Sequence, residues 1–75
     1  MAASAYILIN VEPASTRTVL EQLQLLPGVV AHEVLGPYDV VVDMEADTQE
    51  DITAILRHKI RPVHGITNTV TCVCI

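Results

Sequence analysis

Asp39 is the residue whose type and place most directly suggest chemistry. With Tyr38 it is expected at the tip of the turn in Leu35-Gly36-Pro37-Tyr38-Asp39-Val40-Val41-Val42, between two apolar runs. A carboxylate presented there beside Tyr38 can hold an ammonium group, and Gly36 leaves room for a ligand to approach the backbone. Turn carboxylates also commonly bind the amides of their own turn, and spacing alone favours that use. Thr67, Thr69 and Thr71 form a second set. Their hydroxyls can hydrogen-bond a carboxylate or one another across an interface, although threonine is also simply a good strand residue. Cys72 and Cys74, with His32, His58 and His64, form a third. A Cys-x-Cys pair plus histidines could ligate zinc or copper(I), but the spacing is not that of a ribbon or finger, and plain structural use is the simpler account.

The remaining polar groups say less. Asp43, Glu45, Asp47, Glu50 and Asp51 lack the spacing of an EF-hand, and acids at the start of a helix need no metal to explain them. No serine sits in a nucleophile elbow, and no glycine-rich phosphate loop is present. His32 and Glu33, adjacent on a strand, point to opposite faces and cannot act as a pair.

The elements that must position these residues follow from the apolar pattern. Ala5 to Val11 is a nearly continuous β-branched run, read as a central strand. From a cap at Ser15 or Thr16, the positions Val19, Leu20, Leu23 and Leu26 keep helical spacing until Pro27-Gly28 stops them. A second strand runs from about Val29 to Leu35, and a third from Tyr38 to Met44, which makes a tight hairpin at Gly36-Pro37. Val40, Val42 and Met44 should share one face, with Asp39, Val41 and Asp43 on the other. Thr48-Gln49-Glu50-Asp51 resembles a capping box with Asp in place of Glu, and Ile52, Ile55, Leu56 and Ile60 continue a helical stripe. Pro62 and Gly65 end that helix, and Ile66 to Ile75 read as the last strand. Pro27-Gly28-Val29 after the first helix is echoed by His64-Gly65-Ile66 after the second.

The order is therefore β-α-β-β-α-β, an α+β, ferredoxin-like fold with a four-stranded antiparallel sheet. Right-handed crossovers put both helices on one face and leave the other bare. Yet the first strand is apolar on both faces, with Ile7, Ile9 and Val11 one way and Tyr6 and Leu8 the other. The bare face should be buried by a second copy, and a standard interface of ~800 Å² per partner would be ample for so small a domain.

Composition agrees. Seventy-five residues make one domain, and a domain of about 60 residues buries only about 60% of its unfolded surface. The chain is 51% apolar without a single Phe or Trp, so its core must be mostly Val, Ile and Leu. The net charge of −5, with only four basic residues, argues against a direct nucleic-acid partner. The Arg57 to Arg61 cluster fits a helix C-terminus instead. No run approaches the ~18 apolar residues of a membrane span, and the expected compartment is the cytoplasm, with both cysteines as free thiols.

At Leu26-Pro27-Gly28-Val29, Gly36-Pro37-Tyr38-Asp39 and Gly65-Ile66-x-x-Thr69-x-Thr71 the sequence resembles the effector-binding (RAM) domain of the Lrp/AsnC family of transcriptional regulators. The resemblance covers essentially the whole chain. It implies a domain that dimerises through its sheets, commonly assembles into rings of dimers, and binds small effectors, typically amino acids, between dimers. Carried over, Gly36, Tyr38 and Asp39 would form the binding turn, with Thr69 and Thr71 contributing; Asp39 would hold the ammonium group. The resemblance implies no catalytic residue, cofactor or metal. Full-length members also carry an N-terminal helix-turn-helix domain, whereas here the first strand begins within about five residues of Met1. Residues 1–75 are therefore expected to be a stand-alone domain without a DNA reader, whose partner could be a full-length regulator of the same type.

Two other classes stay open at this point. Small dimeric α+β barrel enzymes pack sheet to sheet as well, but need an enclosed pocket, here one lined by His32 or Tyr6. Ferredoxin-like metal carriers place cysteines after the first strand, and Asn10 to Ser15 holds none.

Overall fold

In the computed structural model, which describes residues 2–75, the first strand β1 runs Ala3–Val11 with its side chains alternating between a sealed and a half-open face. Ala5, Ile7, Ile9 and Val11 are buried, and Tyr6, Leu8 and Asn10 lie on the other side. A short 3-10 turn at Pro13–Ser15 leads into α1 (Thr16–Gln24), and proline at its start costs no hydrogen bond there. Val19 and Leu23 are the residues α1 buries.

The strands β2 (Val29–Glu33) and β3 (Val40–Ala46) follow, then α2 (Gln49–Ile55), a π-helical turn (Leu56–Ile60) and β4 (Ile66–Val73). The sheet order is β2-β3-β1-β4 and every neighbouring pair is antiparallel. This is the expected ferredoxin-like βαββαβ topology. α1 packs on β2, and α2 packs on β1 and β3. The core between sheet and helices is Ile7, Ile9, Val40, Val42, Met44, Val19, Leu23, Ile52 and Ile60, together with smaller residues; it holds no aromatic ring.

Both helix exits turn on glycine. Gly28 and Gly65 have φ of +74° and +104°, the left-handed region that L-residues avoid. The sequence echo around these two residues is thus a repeated backbone requirement.

α2 begins as its sequence suggests, with Thr48 Oγ1 accepting the Asp51 amide at 3.1 Å. Thr48→Ala is expected to cost about 1 kcal/mol. In a domain of this size that lowers the melting temperature by roughly 4–8 °C, read by circular dichroism, while Thr48→Ser keeps most of it.

β1 starts two residues earlier than the sequence reading, at Ala3, and β4 stops at Val73 rather than Ile75; two larger differences concern the loop and the last strand. The β2-β3 connection is not a tight turn, because β2 ends at Glu33 and β3 starts at Val40. Val34 to Asp39 form a wider loop, closed by Val34 N–H donating to the Asp39 carbonyl at 2.9 Å. The φ of Pro37 is locked at about −65°, which excludes the positive φ that a type I′ two-residue turn needs at its second position. The threonine stripe is also broken. Val11 pairs with Ile66 and Asn10 with Asn68, so Thr67 is the extra residue of a β-bulge.

Candidate functional site

The loop that carries the candidate residues is held from β1. Asp39 N–H donates to the Ile9 carbonyl at 2.9 Å, and Asp39 Oδ2 accepts the Val11 amide at 2.9 Å. Asn10 Nδ2 donates to the Pro37 carbonyl at 2.9 Å. Asn68 on β4 donates in turn to Asn10 Oδ1 at 3.4 Å. Loop, β1 and the start of β4 are therefore tied together along one end of the sheet.

Asp39 is not at the loop tip. Leu35, Gly36 and Pro37 project there fully exposed, while Tyr38 and Asp39 sit half-buried at the base. One carboxylate oxygen of Asp39 takes a backbone amide next to the bulge, as turn carboxylates commonly do. Its other oxygen, Oδ1, and the lone pairs that remain could accept from a ligand. Gly36 has nothing within 4 Å of the place a Cβ would occupy, so backbone at the tip is open to approach.

Thr69 and Thr71 lie elsewhere. They pair with Ile9 and Ile7, and so share the helix-bearing face of the sheet, half-buried. Asp39 and Thr69 flank Ile9 from opposite sides, about 10 Å apart at two strand spacings. Gly36, Tyr38 and Asp39 are thus one cluster, and the threonines are a second on the far strand.

Asn10 and Asn68 were missed by sequence reasoning. A signal existed: asparagine is disfavoured in strands, and each interrupts a strong β pattern.

The open sheet face is the other feature. Across it run two rows, His32-Val41-Leu8-Val70 and Val30-Asp43-Tyr6-Cys72. Val30, Tyr6 and Val70 are 54%, 47% and 37% exposed, so an apolar band crosses all four strands uncovered. Tyr6 and His32 stand on this exposed face rather than inside the subunit. Cys72 and Cys74 are free and exposed, and among the described residues no three His, Cys, Asp or Glu side chains are grouped to hold a metal. No helix among the described residues is long and apolar enough to cross a membrane.

The architecture is thus a one-sided βαββαβ sheet with an anchored, glycine-bearing loop between β2 and β3. The chain belongs to the Lrp/AsnC ligand binding domain family, whose model matches residues 4–75. It is 36% identical, over 97% of its length, to an uncharacterised HTH-type transcriptional regulator of Pyrococcus horikoshii, of which the match covers 51%. The chain therefore spans about half the length of the curated relatives it matches. The crystal structure of FFRP-DM1 superposes with a TM-score of 0.92 at 35% identity, covering 97% of this chain and 99% of that one. A Neisseria meningitidis transcriptional regulator solved as a complex with L-Met shares the fold, with a TM-score of 0.85 at 13% identity over 97% of this chain and 49% of that one.

Proposed function

We propose that this domain is a non-catalytic amino-acid sensor. It dimerises through the open sheet face, forms the effector site at the Val34–Asp39 loop where dimers meet in a larger ring, and acts on transcription through a regulator of its own family. What carries this reading is the loop itself: the segment with Gly36, Tyr38 and Asp39 is tied to β1 through Pro37 and Asp39, in a chain of the Lrp/AsnC ligand-binding family. In the Neisseria relative, the same fold was crystallised with an amino acid. Asp39 Oδ1 takes the effector's ammonium group, the exposed backbone at Gly36 lets it approach, and Tyr38 borders it. Thr69 and Thr71, on the far strand, reach the effector only from a neighbouring subunit. A ligand that binds the assembled form better favours assembly by the same factor.

The test is a thermal-shift panel of amino acids at millimolar concentration. At a hundred times Kd, a bound effector adds ~2.7 kcal/mol, which moves the melting point of so small a domain by roughly ten degrees or more. The informative variant is Asp39→Asn. Its amide oxygen still accepts the Val11 N–H while the charge is gone, so it should fold like the parent and lose the shift. Asp39→Ala would orphan that amide as well, at about 1–3 kcal/mol, and mix folding with binding. If no amino acid shifts the parent, or Asp39→Asn keeps the full shift, the role given to Asp39 falls.

A further inference from the structure

The chain's four basic residues are distributed unequally among its surface clefts. Arg17 lines a cleft of about 480 Å³ but shares it with Glu21 and Glu33, so its charge is opposed there. The cleft beside Gly28 is acidic, with Glu45, Asp47 and Asp51. Lys59 and His64 line another with Thr18, Gln22, Pro62 and Val63, and with no carboxylate. Arg61 brings a guanidinium to a smaller cleft of about 180 Å³, with Ile66, Thr67, Asn68 and Thr69 and likewise no carboxylate.

Two backbone irregularities converge on that cleft. On one side the π-helical turn is closed by Arg61 N–H donating to the Leu56 carbonyl at 2.9 Å, which places Arg61 one residue later than an α-helix would. On the other the β-bulge at Thr67 re-aims the start of β4. Single π-turns and bulges are both concentrated at functional sites. Here they place Arg61 beside Thr67 and Thr69 on the wall of one small cleft, while the Asn68 side chain, paired across from Asn10, lies on the opposite face of the sheet.

We propose that this cleft is an oxyanion site that takes a single carboxylate or phosphate group. Arg61 supplies the charge and a planar pair of donors, and Thr67 and Thr69 donate hydroxyl protons. In a chain of net charge −5 such a group would be repelled from most of the surface, and between the two acid-free clefts the guanidinium of Arg61 favours this one, because its planar donors match a carboxylate or phosphate better than an ammonium does. One source is the α-carboxylate of the amino-acid effector, and to that extent the inference rests on the sensor reading. The other is a phosphate-bearing metabolite.

The experiment is a titration of the whole chain with inorganic phosphate and, separately, acetate at constant ionic strength, followed by backbone amide NMR. The expected result is a saturable shift of the Thr67, Asn68 and Thr69 amides. Arg61→Gln should weaken it roughly tenfold or more, as loss of a charged hydrogen-bond partner does. Thr67→Val should weaken it too, while Arg57→Gln, outside the cleft, should not. Saturation by acetate alone assigns a carboxylate, and by phosphate alone a phosphate ester; either supports the site. Shifts that do not saturate, or that fall equally in Arg57→Gln and Arg61→Gln, overturn it as general screening. An amino-acid panel without effect, beside saturable phosphate binding, would remove the sensor reading and leave this site standing.

Discussion

Leu8→Asp is expected to leave the chain monomeric at concentrations where the parent forms the proposed sheet-to-sheet dimer, as read by size-exclusion chromatography with light scattering. Leu8 lies in the middle of the row His32-Val41-Leu8-Val70, half-buried on the face opposite the helices. Its side chain takes no part in the core between sheet and helices, so the substitution leaves the subunit's own packing intact. A second copy would bury it completely. An unpaired carboxylate there would lose its hydration with no compensating partner, at a cost of several kcal/mol per ion and twice over in a two-fold dimer. The parent's melting temperature should rise with protein concentration, and that of Leu8→Asp should not. A variant that remains dimeric would show that the subunits meet by some other surface, and the sheet-to-sheet assembly would have to be given up.

Gly65→Ala should be the most damaging conservative change in the chain. Gly65 sits at φ +104°, and an added Cβ would come within 2.5 Å of Ser15 Cβ and 3.2 Å of Val19 Cγ2. Its carbonyl also accepts the Glu12 amide at 2.7 Å, which fixes where the chain leaves β1 against where it enters β4. The strained backbone and the clash together amount to about 3 kcal/mol or more. In a domain of 60–100 residues that is a fall of about 12 °C or more in melting temperature. Gly36→Ala is the contrast, since its Cβ would meet nothing and its φ is not positive. It should melt with the parent, so any loss of effector binding in it reports on the approach to the loop and not on folding. Equal stability of Gly65→Ala and the parent would mean that the helix exit is not the rigid joint described here.

Family membership also changes the weight of single residues. By spacing alone Asp39 reads as a turn carboxylate, and its Oδ2 does take a backbone amide. The two roles are compatible, because a carboxylate has two oxygens and several acceptor positions. That is why charge removal and acceptor removal must be tested with different substitutions.

The alternation of Ile7, Ile9 and Val11 against Tyr6 and Leu8, the helical spacing through Val19 and Leu23, the Thr48 cap and the paired glycines at 28 and 65 were all legible in the sequence, and with them the order and one-sidedness of the sheet. These are local rules: side-chain period, cap chemistry and permitted φ depend on residues a few positions apart. Other features were settled only in three dimensions. They are the width of the Val34–Asp39 loop, the bulge that takes Thr67 out of its stripe, the Asn68-Asn10-Pro37 chain of hydrogen bonds and the cleft around Arg61. Each depends on which donor meets which acceptor between segments up to 58 positions apart. That matching is decided by the register of β1 between β3 and β4; the alternation within each strand fixes which face a residue takes, but not which partner it meets or where a bulge falls.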